Sequence, residues 1–224
     1  MDQKNLANQA YTILDELFTR AEFMPGDKLS ENQLCKQLNM SRTPIRSALF
    51  RLSRKGYIES IDKKGIYVKG FEGKEFEDGF ELLIQLESIV YKNIDKIKDV
   101  ETLYTNLQQC LDLQKAAKEQ NDYLEYLTHQ FTYSEILFNA YDNSALIKAY
   151  HMLKKDMIRM GMIIYKKTMH YPHYSSLENK EKTFSLLKEG KIKEILELNE
   201  LFYQNVNNSY SQVFHSLSLK GEGI

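Results

Sequence analysis

The chain has 224 residues, long enough to bury a substantial core in one large or two ordinary domains. Hydrophobic residues make up 42% and charged residues 27%, as in a soluble globular protein, and only 10 Gly and 3 Pro predict long uninterrupted helices. No run of about 18 apolar residues and no signal pattern at the amino terminus is found, so we expect a cytoplasmic protein without a membrane partner. The net charge is -1, but it divides into +4 over residues 1–70 and -5 over the remainder, which suits a nucleic-acid module joined to a sensing or assembly module.

The first forty residues predict two helices and a turn. Apolar residues at helical spacing over 4–22 indicate an amphipathic helix, and the run Met24-Pro25-Gly26-Asp27 ends it. Lys28-Leu29 is a candidate short strand. Ser30 and Gln33 fit a capping box that begins the second helix.

Residues 41 to 55 predict a third helix with two distinct faces. Ser41 is the expected cap and Pro44 suits the first turn, where a backbone N–H has no partner. A stripe at i, i+4, i+7 predicts the buried face, formed by Ile45, Leu49 and Leu52. The outward side of the first two turns then carries Arg42, Thr43 and Arg46. Gly56 is expected to end the helix in the left-handed conformation.

The next residues predict a β-hairpin with a basic tip. YIESI and IYVK are short β-branched and aromatic runs, bridged by Asp62-Lys63-Lys64-Gly65. Eight Lys or Arg and two acids lie within residues 41–69, a local net charge of +6. The order of helix, turn, helix, turn, helix and hairpin is that of a winged helix-turn-helix.

The residue types on this segment fit contact with double-stranded DNA. Arg42 and Arg46 lie one turn apart, and a guanidinium can fork onto guanine or a phosphate. Ser41 and Thr43 can donate to phosphate oxygens beside a helix start that favours anions. Lys63 and Lys64 suit a groove edge and add salt-dependent affinity. The alternative is an ordinary solvated helix face.

The stretch MPGDKLSENQLCKQLNMSRTPIRSALFRLSRKGYI resembles the amino-terminal domain of GntR-type bacterial transcription regulators. The resemblance covers residues 5 to 69. It implies that Ser41, Arg42, Thr43 and Arg46 meet phosphates and base edges in the major groove, and that Gly65 at the wing tip approaches the minor groove. The chain departs from the family at Asn32, where an Arg is common.

After a DNA-binding domain over 1–69 and a linker over 70–74, we predict a separate all-α domain over 75–224. Residues that interrupt helices divide this domain into helical segments near 74–98, 100–119, 121–141, 143–168, 175–189 and 191–216. These segments predict an antiparallel bundle of six to seven helices. The expected fold class is therefore mainly α, with one small β-hairpin in the winged helix-turn-helix.

The helical half resembles the FCD-type effector domain of the FadR subfamily, through the Leu86-Glu87 pair and the segment EILFNAYDNSAL. The resemblance implies a pocket for a small effector and a homodimer. It also implies a metal held by one Asp and three His in many members. This chain has Gln130, Ser134, Lys180 and Phe202 at those positions, which are poor transition-metal ligands, so we expect no metal and no cofactor. Leu83 stands where an Arg is often found, which argues against an ordinary carboxylate effector.

Side chains expected around the effector pocket are Gln130, Tyr133, Ser134, Tyr165 and Lys180. A non-standard metal site of His129 with His170 or His173 is an open alternative, and surface or capping histidines are the other. Cys35 and Cys110 lack CxxC spacing and are expected to be small buried hydrophobes.

These observations predict a homodimeric, ligand-responsive transcription regulator, a repressor rather than an activator, acting on a palindromic operator. The alternative is a DNA-tethered dimerisation protein whose degenerate helical domain binds no effector. The sequence contains no recognisable catalytic set, so an enzyme is not expected.

Overall fold

The computed structural model describes residues 3–168 and 173–218, with side chains over 5–168 and 173–209. The chain divides into two compact units, Met1–Phe71 and Glu72–Ile224. Over the described residues the protein is mainly helical with one small antiparallel sheet, which confirms the predicted fold class. None of the described helices is long and apolar enough to cross a membrane.

The first unit is a three-helix domain with a three-stranded sheet. Its elements are α1 (Gln3–Thr19), β1 (Lys28–Leu29), α2 (Glu31–Leu38), α3 (Arg42–Arg54), β2 (Ile58–Ile61) and β3 (Gly65–Val68). The strand order is β1-β3-β2, and both pairings are antiparallel. Helices α1 and α2 both pack on α3, which is therefore central to the domain.

The core of this unit forms where the apolar stripes of α1 and α3 meet. Fully buried side chains on α1 pack against the predicted stripe on α3, and the cluster includes Ala10, Leu14, Phe18, Ile45, Leu49 and Leu52. Pro44 and Ala48 are also buried on α3, while Arg42, Thr43 and Arg46 are exposed. The two predicted faces of this helix are thus confirmed.

The predicted cap on α3 is wrong in one respect. Ser41 occupies the N-cap position in an extended conformation, but its side chain makes no capping hydrogen bond. The N–H of the third helical residue is a usual donor to a capping hydroxyl, and here that residue is Pro44, which has no N–H. At the other end, Gly56 follows the helix with φ at +77°, as expected for a left-handed glycine.

The second unit is a bundle of six α-helices over its described residues. These are α4 (Gly73–Tyr91), α5 (Val100–Glu119), α6 (Tyr123–Tyr141), α7 (Ser144–Lys167), α8 (Ser175–Lys188) and α9 (Ile192–Ser218). The predicted helix 74–98 instead ends at Tyr91 and is followed by a short 3-10 helix, Ile94–Lys96. The Asn93 side chain donates to the Ile89 carbonyl at 2.8 Å, and such local bonds compete with helix continuation.

Polar side chains cap the starts of two helices of the bundle. The Asp122 carboxylate accepts from the Glu125 N–H before α6, and the Asn143 side chain accepts from the first amides of α7. Helix α5 packs on α6, α6 on α7, and α4 on both α7 and α9. At Gly161 the helices approach so closely that an added Cβ would lie 2.9 Å from Leu127 Cδ1, which places α7 tightly against α6.

Candidate nucleic-acid interface and cavity

The amino-terminal end of α3 is an exposed polar surface. Ser41, Arg42 and Thr43 are all exposed, and the Ser41 hydroxyl is not engaged in capping. The first backbone N–H groups of a helix carry partial positive charge and have no intrahelical partner. Together with the Arg42 guanidinium, they form a surface suited to an anion such as a phosphate.

Arg46 lies one turn further along α3 and is held by an acid from α2. Its Nε donates to Glu31 Oε2 at 2.9 Å and to Oε1 at 3.1 Å. The Arg46 side chain is 63% exposed and that of Glu31 28% exposed. Because only Nε is used, the two terminal nitrogens keep their donors for a further partner. Glu31 was not singled out from the sequence, since helix periodicity gives the face of a residue and not its neighbour on another helix.

Two of the eight basic residues within 41–69, Arg51 and Lys55, contact side chains of α1 and so stabilise the domain. Arg51 donates to Asn8 Oδ1 at 3.0 Å and stacks on Tyr11, with 3.5 Å between the guanidinium carbon and the ring centroid. Lys55 Nζ lies 3.0 Å from Oδ1 of Asp15, whose side chain is 3% exposed. Burial lowers the pKa of Lys55, but hydrogen bonds to Tyr11 and Asp15 outweigh it, so the net pKa is raised. These contacts tie α3 to α1, and the local charge of +6 overstates the surface open to DNA.

The β2–β3 hairpin forms a wing with lysines at its tip. Lys63 and Lys64 are exposed, and Lys63 has φ at +58°. Gly65 has φ at +115°, which L side chains rarely adopt, and a Cβ there would lie 3.1 Å from Cε of Lys28. Lys28 is exposed on β1, opposite Tyr67 of β3. Lys28 therefore adds a third lysine to the wing, beside the two predicted from the sequence.

In the second unit a cavity of about 230 Å³ opens among α4, α6, α7, α8 and α9. Among the described residues, five aromatic side chains line it: Phe76, Phe80, Tyr123, Phe131 and Phe202. The described polar lining residues are Gln130, His173, Ser175, Ser176, Asn205 and Ser209. Of the five predicted pocket residues, Gln130 lines this cavity, and Tyr133, Ser134, Tyr165 and Lys180 do not. Tyr165 instead packs on Tyr123, with 4.5 Å between ring centroids.

Lys180 and Ser134 meet at a buried carboxylate. Lys180 Nζ lies 2.6 and 2.7 Å from the two oxygens of Glu87, and the Ser134 hydroxyl donates to the same carboxylate. The Lys180 side chain is 7% exposed and that of Glu87 0%. The ammonium also lies 5.0 Å from the centroid of the Tyr133 ring. Three of the residues expected around an effector are therefore joined in a core cluster around Glu87.

A hydrogen-bonded network joins two polar residues of the cavity lining, Gln130 and Ser176, to Tyr126 behind them. Ser176 Oγ donates to Gln130 Oε1 at 2.8 Å and lies 2.7 Å from the Tyr126 hydroxyl. The Leu177 N–H donates to the same tyrosine oxygen at 2.9 Å. Burial raises the pKa of Tyr126 to about 12 and lowers the pKa of His173 below its ordinary value. Both groups are therefore uncharged at neutral pH.

The four residues that the resemblance puts at metal positions do not fit a metal ion. Gln130 offers an amide oxygen already bound by Ser176, Ser134 is bound to Glu87, and Lys180 itself carries a positive charge. Phe202 contributes only an aromatic ring. Over the described residues, no group of three or more His, Cys, Asp or Glu could hold a metal.

Two of the three histidines of the alternative site lie within the described residues. His129 lies on α6, with Nε2 at 3.6 Å from Glu125 Oε2, and does not line the cavity. His173 does line it, and His170 lies outside the described residues.

The two cysteines are free thiols: Cys110 is buried and Cys35 is half-buried. Burial raises the pKa of Cys110 to about 11, so its thiol stays protonated.

Comparison with known proteins places these features in a family. Residues 6–68 match the family described as bacterial regulatory proteins, gntR family. The chain is 28% identical to the gluconate operon transcriptional repressor of Bacillus subtilis over 132 residues, 59% of this chain and 54% of that protein. It is 30% identical over 116 residues to an uncharacterized helix-turn-helix transcriptional regulator from the TAR-I ttuE-ttuC' intergenic region of Agrobacterium vitis, 50% of this chain and 67% of that protein.

The fold also matches a solved structure over nearly its whole length. A crystal structure described as a transcriptional regulator GntR from Rhodococcus sp. RHA1 superposes with a TM-score of 0.75, covering 93% of this chain and 97% of that one, at 15% identity. At that identity the likeness concerns the fold alone. The chain spans between about half and two-thirds of the length of the curated relatives it matches. The matching domain, with its exposed α3 and its wing, identifies the chain as a member of the GntR family with a helix-turn-helix domain at its amino-terminal end.

Proposed function

We propose that the protein is a sequence-specific DNA-binding transcription regulator, acting as a homodimeric, ligand-responsive repressor. One observation carries the DNA-binding part of this proposal. The start of α3 presents Arg42, Thr43 and Arg46 on one exposed side, in the same domain as a wing tipped with lysines. This combination of a polar helix start and a basic hairpin suits a major groove with an adjacent groove edge.

Each part of the surface has a separate task in the proposed complex. Arg46, held at Nε by Glu31, offers its terminal nitrogens to the O6 and N7 of guanine. Arg42, Thr43 and Ser41 contact phosphates at the helix start and fix the register. On the wing, Lys63 and Lys64 supply salt-dependent affinity, and Gly65 lets the backbone come close to the minor groove.

The proposal of repression is based on a relative. The Bacillus subtilis protein is named a transcriptional repressor of the gluconate operon, and that name concerns the relative. A protein that occupies its operator and excludes polymerase represses without needing any further contact. We therefore propose repression as the direct consequence of operator binding by this chain.

We propose self-association through the helical unit. Leu82 and Ile89 on α4 are each 44% exposed, and their separation of seven residues keeps them on one side of the helix. Exposed apolar side chains in register suit an isologous contact with a second copy. A two-fold dimer would present two α3 helices to half-sites about one helical turn apart.

Ligand response requires a site whose occupation favours one arrangement of the dimer. The cavity bounded by Phe76, Gln130 and Phe202 is the proposed site. A small molecule bound there changes DNA affinity only by its differential affinity for the two arrangements. The alternative function is a DNA-tethered dimerisation protein that binds no effector. Such a protein would use the same DNA-binding surface, and no ligand would occupy this cavity.

A substitution at Arg46 tests the DNA-binding proposal. We expect Arg46→Ala to weaken binding to the protein's own selected DNA by about 1–3 kcal/mol and to relax the choice of base at one position of each half-site. Arg20→Ala is the matched control, because Arg20 is also exposed and also paired with a glutamate, but it directly follows α1, away from α3. Affinity and sequence preference that are unchanged in Arg46→Ala would refute the assignment.

A further inference from the structure

The cavity in the helical unit carries no formal charge on its described lining. Aromatic rings and small polar groups form its walls, and no Asp, Glu, Lys or Arg is among them. The one ionisable group there with a pKa near neutrality, His173, is kept uncharged by burial. A ligand carrying a charge would lose its hydration in this cavity without gaining a counter-charge, which is strongly unfavourable.

The cation that could have received an acidic ligand is already neutralised. Lys180 contacts both oxygens of Glu87, and neither residue lines the cavity. The ion pair is nearly inaccessible to solvent, with 7% and 0% exposure for its two side chains. A carboxylate ligand would have to displace Glu87 from a well-formed pair in order to contact Lys180.

The side-chain amide of Gln130 on the cavity wall is available as a donor. The Gln130 Oε1 atom accepts from Ser176, whereas Gln130 Nε2 makes no hydrogen bond within the described residues. This amide therefore offers an N–H to an acceptor in the cavity. Asn205 and Ser209 add further polar groups on α9, at exposed positions.

The dimensions of the cavity limit the size of its ligand. A cavity of ~150 Å³ lined by apolar side chains holds a benzene molecule. The present volume of about 230 Å³ is half as large again, which suits a bicyclic or substituted single ring. The surrounding rings of Phe80, Tyr123 and Phe202 favour an aromatic ligand through offset and edge contacts.

We propose that this cavity binds an uncharged aromatic molecule with a hydrogen-bond acceptor directed at Gln130, and that acidic analogues of the same shape are rejected. The effector role of this molecule rests on the proposed regulatory function. The binding itself does not, because it depends only on the cavity.

A matched pair of probes isolates the effect of charge. 2-Naphthamide and 2-naphthoate have nearly the same shape and differ in charge at pH 7.5. We expect calorimetry and thermal denaturation of the full chain, without DNA, to show saturable binding of the amide at least ten-fold tighter than that of the acid. Equal or tighter binding of the acid, or no binding of the amide at millimolar concentration, would overturn the proposal.

Two variants on α9 locate the binding. Val206 lines the cavity, so Val206→Trp should fill it and abolish amide binding. Leu201 is 56% exposed on the same helix and does not line the cavity, so Leu201→Trp is the matched control and should bind as the parent does. Amide binding retained in Val206→Trp would place the ligand elsewhere and refute the assignment.

A third variant tests the hydrogen bond from Gln130 to the ligand. It also gives a second test of the site in case Val206→Trp does not fold. Gln130→Leu should lower amide affinity by about three- to ten-fold, the range expected for one neutral hydrogen bond, with an unchanged circular dichroism spectrum. Affinity unchanged in this variant would contradict the role of Gln130.

The cavity proposal and the DNA-binding proposal can fail separately. If the amide does not bind, the expected effect of Arg46→Ala on DNA affinity is unaffected. Amide binding without any effect on DNA affinity would instead refute the effector role and keep the cavity assignment.

Discussion

The ion pair between Lys180 and Glu87 shows how much one contact can alter the expected chemistry of a site. From its position along the chain Lys180 was a predicted pocket residue, whereas Glu87 was noted only as part of the Leu86-Glu87 pair. In the structure they neutralise each other, with Ser134 donating to the same carboxylate. Pairs this deeply buried stabilise a fold only while both members are present, because a lone buried charge has no compensating solvation.

This arrangement predicts a non-additive effect on stability. Lys180→Met alone should lower the free energy of unfolding by about 3–5 kcal/mol, since it leaves the Glu87 carboxylate buried without its counter-ion. Lys180→Met combined with Glu87→Leu should recover most of that loss. Urea denaturation of both variants is the measurement.

An exposed pair on α4 provides the control for that experiment. Lys74 and Asp78 form a surface ion pair, and Lys74→Met should change the denaturation midpoint far less than Lys180→Met. If the double variant is as unstable as Lys180→Met alone, the coupling between the two core residues is absent.

The predictions for single residues of α3 were right about exposure and incomplete about partners. The exposed face of α3 follows from helical periodicity, and Arg42, Thr43 and Arg46 lie on it. Which acid or ring each basic side chain would meet does not follow, because partners such as Glu31 of α2 come from another element. The missing Ser41 cap is a local effect that could have been anticipated, since Pro44 supplies no N–H for it.

At the scale of elements, the wing is larger than a hairpin. Strand β1 pairs with β3 and brings Lys28 beside Gly65 and the tip lysines. The short Lys28-Leu29 run was recognised as a candidate strand, but its partner was not, because two residues carry too little pattern to specify register.

The wing should contribute affinity without sequence choice. We expect Lys64→Gln to weaken binding to selected and to unrelated DNA by the same factor, and to reduce the slope of log K against log salt by about 1. Lys115 is exposed on α5 in the other unit, so Lys115→Gln is a matched loss of charge. A loss confined to selected DNA would mean that Lys64 reads bases, and an unchanged slope would exclude a phosphate contact.

Most helix boundaries in the bundle were predictable because their signals are local. Asp99, Asp122 and Asn143 each cap the following helix with their own side chain. The exception is residues 92–98, where a helical pattern continues in the sequence while the backbone leaves the α-helix at Tyr91. The bond from Asn93 to the Ile89 carbonyl competes there with propagation, and apolar periodicity does not register it.

At the scale of the whole molecule, composition and charge indicated a basic module and an acidic helical module, and the structure has two compact units. The cavity could not be predicted to the same degree. Its wall draws on five helices, so its lining depends on how those helices are rotated and offset against one another. Of the five predicted pocket residues only Gln130 lines it, together with Phe202 and His173, which were named for candidate metal sites, whereas Lys180 contacts Glu87 instead.

The central claim is that two copies of α3 read a specific, two-fold related DNA sequence. The most direct test is selection of bound duplexes from a random pool by the purified full-length chain, followed by sequencing. We expect enrichment of a pseudo-palindrome whose half-site centres lie about 10–10.5 base pairs apart, or a multiple of that spacing. Recovery of no enriched motif, or of a single asymmetric half-site, would contradict the account.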